Sequence, residues 1–308
     1  MISMSVIHAL LRNSIDYAGL FPPAGLGMRE AVDNFARYIS DRSSWALGRF
    51  VVPAQRLGEF EAAAQPHLTQ PGSPPWRLSA LLAADLERDL SAVIDFNRRS
   101  ASRGNAVTVI DSVELKAEST GALQHALDRV PRHLQAYIEI PIAGDPGDLI
   151  RLINRRGSRA KVRTGGIDPG AFPPTADLAR FIVSCVRTAV PFKATAGLHH
   201  AFRAEYPLTY APDSPRGTMF GFLNLFLAAA FARLGLDQRS AEHVLEESSP
   251  EAFHIEEDAI SWHGHRVGLS DLEQTREQVM LSFGSCSFIE PLHELYALQL
   301  LHPRVPQT

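Results

Sequence analysis

The chain has 308 residues, 45% of them hydrophobic, and its 30 Lys and Arg residues face 34 Asp and Glu residues, for a formal net charge of −4. A chain of this length and hydrophobic content can bury a large core, as two average domains or as one α/β barrel. Because the charge balance is slightly acidic, no overall basic field attracts nucleic acid, and we expect no nucleic-acid partner.

Cysteine spacing and apolar segments narrow the class of protein further. Cys185 and Cys286 form no CxxC or CxxH pattern, which argues against a disulfide framework or a zinc knuckle and favours a cytoplasmic location. The first residues lack the pattern of a secretory signal peptide. The longest apolar run, residues 219–232, is too short to cross a bilayer and contains Asn224, so it predicts a buried helix and no membrane partner.

Short β-rich runs alternate with amphipathic stretches along most of the chain, which is typical of parallel βα units. Between the β-rich runs, apolar residues recur at the helical spacing, so each intervening stretch predicts a crossover helix. The predicted strands are residues 14–21, 48–53, 77–84, 106–116, 134–142, 160–165 and 191–197.

After about residue 235 the pattern changes to a helix, a hairpin with Glu257 and Asp258 at its turn, and two further helical segments. The eighth strand is either residues 283–288, with the hairpin and a helix inserted before it, or the barrel is incomplete. The sequence therefore predicts a (β/α)8 TIM-barrel-like parallel barrel, complete or irregular, in residues 1–235. Residues 236–308 are predicted to form an α+β C-terminal extension that packs on the barrel or completes it.

Charged side chains recur near the carboxyl ends of four successive predicted strands. They are Glu114 and Lys116, then Glu139, then Lys161 and Arg163, and finally Lys193. Strands of a parallel barrel are normally apolar on both faces, and barrel active sites lie at the carboxyl ends of the strands. Four cations against two carboxylates leave a formal charge of +2, which favours a small anionic substrate. The alternative is a buried ion network with a purely structural role.

Lys193 is the strongest single candidate for a catalytic residue. Burial in an apolar strand near other cations is expected to lower its pKa, and a neutral amine could then form a Schiff base with a carbonyl compound. The alternative is an anchor for a phosphate or carboxylate without covalent chemistry. Thr195 shares the strand face of Lys193 and is a candidate for substrate contact.

The segments FKATAG and KVRTGG, which contain Lys193 and Lys161, resemble the lysine strands of class I aldolase barrels of the deoxyribose-phosphate aldolase type. The resemblance covers these two short segments. It implies a (β/α)8 barrel with lyase activity, in which Lys193 forms the Schiff base and Lys161 is the neighbouring cation that lowers its pKa.

Loop residues near these strands supply further candidates. Gly165 and Gly166 could let backbone amides approach an anion, or they form an ordinary turn. His199 and His200 follow the last predicted strand and are candidates for substrate contact or general acid catalysis, with a plain surface position as the alternative. Adjacent histidines make a poor chelate, and no metal site is predicted.

Two polar or reactive positions stay open at this point. Cys286 precedes a predicted helix, where its thiol is either activated by the helix N-terminus or packed as a small residue in a tight turn. Asp16 lies in the first predicted strand and either faces the site or caps a buried group.

The leading functional hypothesis is a lyase of the aldolase kind that acts on a small anionic carbonyl substrate without a cofactor. Glu139 or Glu114 would shuttle protons, and Lys161 and Arg163, with Lys116, would hold the anionic group. The alternatives are a phosphosugar-handling transferase barrel without covalent catalysis, and a non-catalytic barrel that binds a metabolite or a partner protein. A homo-oligomer is compatible with the sequence.

Overall fold

Eight parallel strands form a closed barrel in the computed structural model, which describes residues 5–68, 75–102 and 108–301. Around the barrel the strands follow the order β1-β13-β7-β6-β5-β4-β3-β2. They are β1 Ile15–Tyr17, β2 Leu47–Pro53, β3 Trp76–Leu81, β4 Thr108–Lys116, β5 Gln135–Glu139, β6 Arg159–Arg163, β7 Phe192–Thr195 and β13 Met280–Ser285. The predicted barrel and its seven predicted strands are confirmed. Residues 106 and 107, which were assigned to the fourth strand, lie outside the described residues.

The last strand, β13, completes the barrel between β7 and β1. Its Phe283 is in register with Ala194 of β7 and with Ile15 of β1. All six residues of β13 are buried, as expected for a strand that is covered on both faces. The eighth strand thus overlaps the first half of predicted residues 283–288, and the alternative of an incomplete barrel is wrong.

Helices surround the barrel and follow most of its strands. They are α1 Val6–Leu11, α2 Met28–Ser40, α3 Leu57–Ala64, α4 Leu86–Ser102, α5 Thr120–Leu127, α6 Gly147–Arg155, α7 Thr175–Arg187, α8 Phe222–Arg233, α9 Gln238–Glu246, α10 Leu269–Gln278 and α11 Ile289–Ala297. In α2, for example, the buried residues Met28, Ala31, Val32 and Phe35 form one helical stripe. Among the described residues, every helix is too short or too polar to span a bilayer.

The segment between β7 and β13 contains the two smaller sheets. The strands β8 Ala204–Pro207 and β9 Arg216–Met219 form a hairpin, and β10 Phe253–Ile255, β11 Ala259–Trp262 and β12 His265–Gly268 form an antiparallel sheet. The predicted turn at Glu257 and Asp258 is confirmed, because these residues join β10 to β11.

Helix α8 is buried along almost its whole length and holds β13 in place. Phe222 stacks on Phe283 of β13 with 5.0 Å between ring centroids, and Phe226 meets the same ring edge-on. Asn224 is structural, because its side-chain amide nitrogen donates to the carbonyl oxygens of Val244 and Glu247 at the end of α9. The predicted buried helix is therefore confirmed, and the side chain of its buried Asn224 satisfies backbone groups.

The end of the barrel at which the strands begin is closed by a network of arginine side chains and their partners. Arg49 of β2 grips Asp111 of β4 through two hydrogen bonds of 2.6 and 3.0 Å, and its guanidinium also reaches Gln135 of β5 at 3.2 Å. Arg77 of β3 donates a further bond of 2.9 Å to Asp111. Because Arg49 is buried, loss of its carboxylate partner would leave a guanidinium charge unpaired in the interior.

We expect Asp111→Ala to lower the free energy of unfolding by about 3 kcal/mol, the typical cost of leaving one partner of a buried ion pair unpaired. Denaturant unfolding measures the change. The matched control is Asp95→Ala, which removes an exposed pair with Arg98 and should cost less than about 1 kcal/mol. Equal effects of the two substitutions would show that the Arg49 network does not stabilise the barrel.

Candidate active site

A chain of buried ion pairs crosses the interior of the barrel toward the carboxyl ends of its strands. Lys193 Nζ contacts Asp16 Oδ2 at 2.5 Å and Glu114 Oε1 at 2.7 Å. Lys161 Nζ contacts Glu114 Oε2 at 2.8 Å and Glu139 Oε2 at 3.0 Å. Glu114 therefore bridges two lysines through its two carboxylate oxygens. Asp16, Glu114, Lys161 and Lys193 are each at most 4% exposed.

Strand register explains why these side chains meet. Lys161 of β6 is directly opposite Lys193 of β7, and Glu139 of β5 is directly opposite Lys161. Side chains at the same level of neighbouring parallel strands point to the same side of the sheet, so the three converge inside the barrel. The predicted gathering of strand-end charges in one cluster is present for Glu139, Lys161 and Lys193, and Glu114, which is opposite Tyr137 in the register, joins it through its bonds to the two lysines.

Asp16, which the sequence left unassigned, is a central member of the cluster. Besides its bond with Lys193, its Oδ2 accepts a hydrogen bond of 2.8 Å from Ser282 Oγ of β13. Its Oδ1 accepts a hydrogen bond of 2.8 Å from the backbone nitrogen of Arg49. Residue 48 must be glycine for this geometry, since a Cβ there would collide with Asp16 Oδ1. With Asp16 included, four cations face three carboxylates, so the expected formal charge of +2 is corrected to +1.

The carboxylates change the expected protonation of Lys193. Burial by itself lowers the pKa of this lysine, but the charges of Asp16 and Glu114 outweigh burial and raise its pKa above the ordinary value. The prediction of a lowered pKa for Lys193 is therefore wrong. Burial raises the pKa of Glu114, but Lys161 and Lys193 outweigh that effect and lower its pKa strongly. The pKa of Glu139 is lowered by Lys161 in the same way.

The cluster of ion pairs reaches solvent at Glu139, at the carboxyl end of β5. This carboxylate also meets Lys116 Nζ at 3.5 Å and Arg163 Nε at 3.4 Å. The side chain of Arg163 is 49% exposed, and its terminal nitrogens have no hydrogen-bond partner among the described residues. The guanidinium of Arg163 is therefore available to a ligand that enters from the barrel mouth.

A cavity of about 390 Å³ lies above the ion pairs. Of the predicted site residues, its lining includes Glu114, Lys161, Arg163, Gly165, Gly166, Lys193, Thr195 and His199. Lys116 and Glu139 line an adjoining cavity instead. His200 lines neither of them, because its ring stacks on Tyr206 and its Nδ1 lies 3.4 Å from Glu294 Oε1. The structure thus does not bring His200 to the site as predicted.

The glycine loop after β6 combines tight packing with free amides. A Cβ on Gly165 would lie 2.5 Å from the Phe172 ring, and Gly197, at φ +72°, faces the Gly165 Cα. Close packing is thus sufficient to explain why these positions are glycine, which agrees with the alternative of an ordinary turn. The backbone nitrogens of Gly165 and Gly166, however, have no hydrogen-bond partner among the described residues, and both glycines line the cavity.

His199 and Cys286 also line the cavity. His199 Nδ1 lies 3.3 Å from Ser285 Oγ and 3.7 Å from Cys286 Sγ, and the Tyr210 hydroxyl approaches the same sulfur at 3.5 Å. Burial raises the pKa of the Cys286 thiol, which agrees with the packed-turn alternative and gives no support to activation by the following helix. Burial, with a smaller effect of His200, lowers the pKa of His199 to about 4.

No cluster of His, Cys, Asp and Glu in the part of the chain that the structure describes could hold a metal ion. The side chains of the site are two buried lysines, three carboxylates, a neutral histidine and a half-exposed arginine. Such a set can form an imine, move protons and hold an anion.

We expect His199 to reduce stability in mild acid. Between the ordinary histidine pKa near 6.5 and the folded-state pKa of about 4, the unfolded chain binds one more proton, so stability falls as the pH falls through this window. Between pH 7 and pH 5, His199→Gln should lose about 2 kcal/mol less unfolding free energy than the wild-type chain. Denaturant unfolding at the two pH values measures the difference, and equal losses in both chains would contradict the buried neutral histidine.

Comparisons with known proteins leave the family open. No family model matches the chain, and no curated protein matches it. The crystal structure of the Bacillus cereus spore cortex-lytic enzyme SleL aligns with 94% of this chain and 74% of that chain, at 11% identity and a TM-score of 0.38. Similarity at this level supports no inference about activity.

Proposed function

We propose that the chain is an enzyme that forms a Schiff base between Lys161 and a small anionic carbonyl substrate, and that it acts as a lyase of the class I aldolase kind. One observation carries the proposal. The whole 308-residue chain contains three lysines, Lys116, Lys161 and Lys193, and all three belong to this cluster. Lysine, unlike arginine, can lose its proton and act as a nucleophile.

The ion pairs favour Lys161 over Lys193 as the nucleophile. Lys193 shares Glu114 with Lys161 but has Asp16 as a second carboxylate, which pairs with no other cationic side chain among the described residues. The second carboxylate of Lys161 is Glu139, which also pairs with Lys116 and Arg163. The carboxylate charge beside Lys161 is therefore shared with two further cations, whereas Asp16 pairs with Lys193 alone among the described cationic side chains. Because the pKa of Lys193 is raised, we assign the imine to Lys161 and the neighbouring charge to Lys193.

The site residues can balance the protons of imine formation. A Lys161 ammonium and a carbonyl group give an iminium and one water molecule. Two of the three ammonium protons leave with the carbonyl oxygen as water, and the third stays on the iminium nitrogen. Glu114 and Glu139, both within 3.0 Å of Lys161 Nζ, relay the departing protons, and the Lys193 ammonium stabilises the negative charge that develops on oxygen.

The iminium then supplies the driving force for bond cleavage. It withdraws the electron pair of an adjacent C–C bond and becomes an enamine, and a base removes the proton of the hydroxyl that becomes the new carbonyl. His199, which lines the same cavity and is unprotonated at neutral pH because burial lowers its pKa to about 4, is the nitrogen base available to accept that proton. Protonation of the enamine and hydrolysis release the second product and regenerate Lys161.

The anionic group of the substrate has a binding position beside Lys161. The terminal nitrogens of Arg163 and the amides of Gly165 and Gly166 are without partners among the described residues, and all three residues line the cavity. A guanidinium can hold a carboxylate through two parallel hydrogen bonds, and free amides add donors. These groups orient the carbonyl carbon toward the lysine pair.

The test is reduction with borohydride in the presence of small carbonyl acids such as pyruvate, followed by peptide mass mapping. We expect an adduct on Lys161, no adduct in Lys161→Arg, and a trapping rate at least about a hundredfold lower in Lys193→Met, which lacks the neighbouring charge. The matched comparison is Lys116→Arg, which retains a cation at the rim and should keep the adduct.

The other outcomes discriminate between the alternatives. An adduct on Lys193 would show that this lysine, and not Lys161, forms the Schiff base. Binding of the acids by wild type and by Lys161→Arg, without an adduct in either, would favour the non-covalent barrel; the full pairing of both lysines with carboxylates is the observation that speaks for it. Binding without turnover of any tested carbonyl acid would favour the non-catalytic alternative.

A further inference from the structure

A second cavity, of about 510 Å³, adjoins the first at the lysine pair. Leu81, Glu114, Lys161 and Arg163 line both cavities. Lys161 Nζ is therefore at the junction of two spaces, and a carbonyl carbon bound there has room for one substituent in each.

The walls of the second cavity differ sharply in polarity. Its charged groups, among them Lys116 and Glu139, are at the ends of β4, β5 and β6. The rest of the lining is mostly apolar and consists of residues 81–84 and Leu86, from the end of β3 to the start of α4, together with Leu115 and Ala126. Its one polar side chain is His125, whose Nδ1 lies 3.1 Å from Arg129 Nη1. The apolar side chains offer no hydrogen-bonding group to a sugar hydroxyl, so hydroxyls placed against them would lose their water partners without replacement.

We propose, building on the Schiff-base function above, that the substrate is a 2-oxo acid with an aliphatic side chain. Its carboxylate binds Arg163 and the amides of Gly165 and Gly166 in the first cavity, its carbonyl carbon meets Lys161, and its side chain lies in the second cavity. The charge of the first cavity agrees with one carboxylate, because the three cations Lys161, Arg163 and Lys193 exceed the carboxylates of Glu114 and Asp168 by one.

The test measures binding of pyruvate, 2-oxobutanoate, 2-oxohexanoate and 2-oxooctanoate by calorimetry. We expect the dissociation constant to fall about threefold with each methylene group added, because each one is buried against the apolar wall. Ala84→Glu places a charge on that wall at an exposed position, where folding is not at risk, and should abolish the dependence on chain length. Ala122→Glu makes the same change at an exposed position of α5 outside both cavities and should keep it.

The outcomes separate this substrate class from the Schiff base itself. Binding that does not depend on chain length in the wild-type chain, or a dependence that survives in Ala84→Glu, overturns the second-cavity assignment even when borohydride traps pyruvate on Lys161. Affinity that rises with chain length and is lost in Ala84→Glu supports the assignment even when no acid is trapped, and in that case only the Schiff base fails. Absence of binding by all four acids also overturns it.

Discussion

The carboxylate of Glu114, held between two buried ammonium groups, is the contact on which the rest of the site depends. A charge in a protein interior is tolerated only when it is paired and hydrogen-bonded, and here each lysine has a second carboxylate on its far side. Loss of Glu114 would leave each buried ammonium group with one carboxylate instead of two, and loss of Lys193 would leave buried Asp16 without a cationic partner among the described residues. The register of β4 to β7, the short strand β1 and Ser282 of β13 must therefore all be correct together, which makes closure of the barrel and assembly of the site a single structural requirement.

Much of the barrel could be predicted because its strands and crossover helices have distinct periodicities. The eighth strand was ambiguous for a physical reason. All six residues of β13 are buried, so the strand lacks the alternation that marks a half-exposed one, and the long insertion after β7 separates it from the regular βα pattern. The assignment of charged residues to strand faces correctly predicted that side chains from β4 to β7 gather in one cluster. His200 failed as a site residue because neighbouring loop residues diverge, and its ring is held outside the cavity by Tyr206 and Glu294.

The charge state of Lys193 could not be predicted from its own strand. Lysines and arginines on neighbouring strands are visible in the sequence as like charges, and like charges lower a lysine pKa. The larger of the two carboxylate effects that raise the pKa of Lys193 comes from Asp16, with Glu114 second, and Asp16 is 177 residues away along the chain in a strand of three residues. A lone aspartate in so short a strand is equally compatible with a capping role, so its pairing with Lys193 becomes evident only when β1 and β7 are seen on either side of β13.

The two ion-pair systems of this barrel differ in the basic residue that they use. Near the starts of the strands, Arg49 grips Asp111 through two hydrogen bonds, the geometry that a guanidinium provides and an ammonium cannot. Near the carboxyl ends, the buried cations are lysines, although nearly all of the 30 basic residues of the chain are arginines. If the lysine cluster near the carboxyl ends served only to hold strands together, arginine would pair with its carboxylates at least as well. What lysine adds at that position is a proton that can leave, and confinement of lysine to this cluster is therefore better explained by chemistry at nitrogen than by stability.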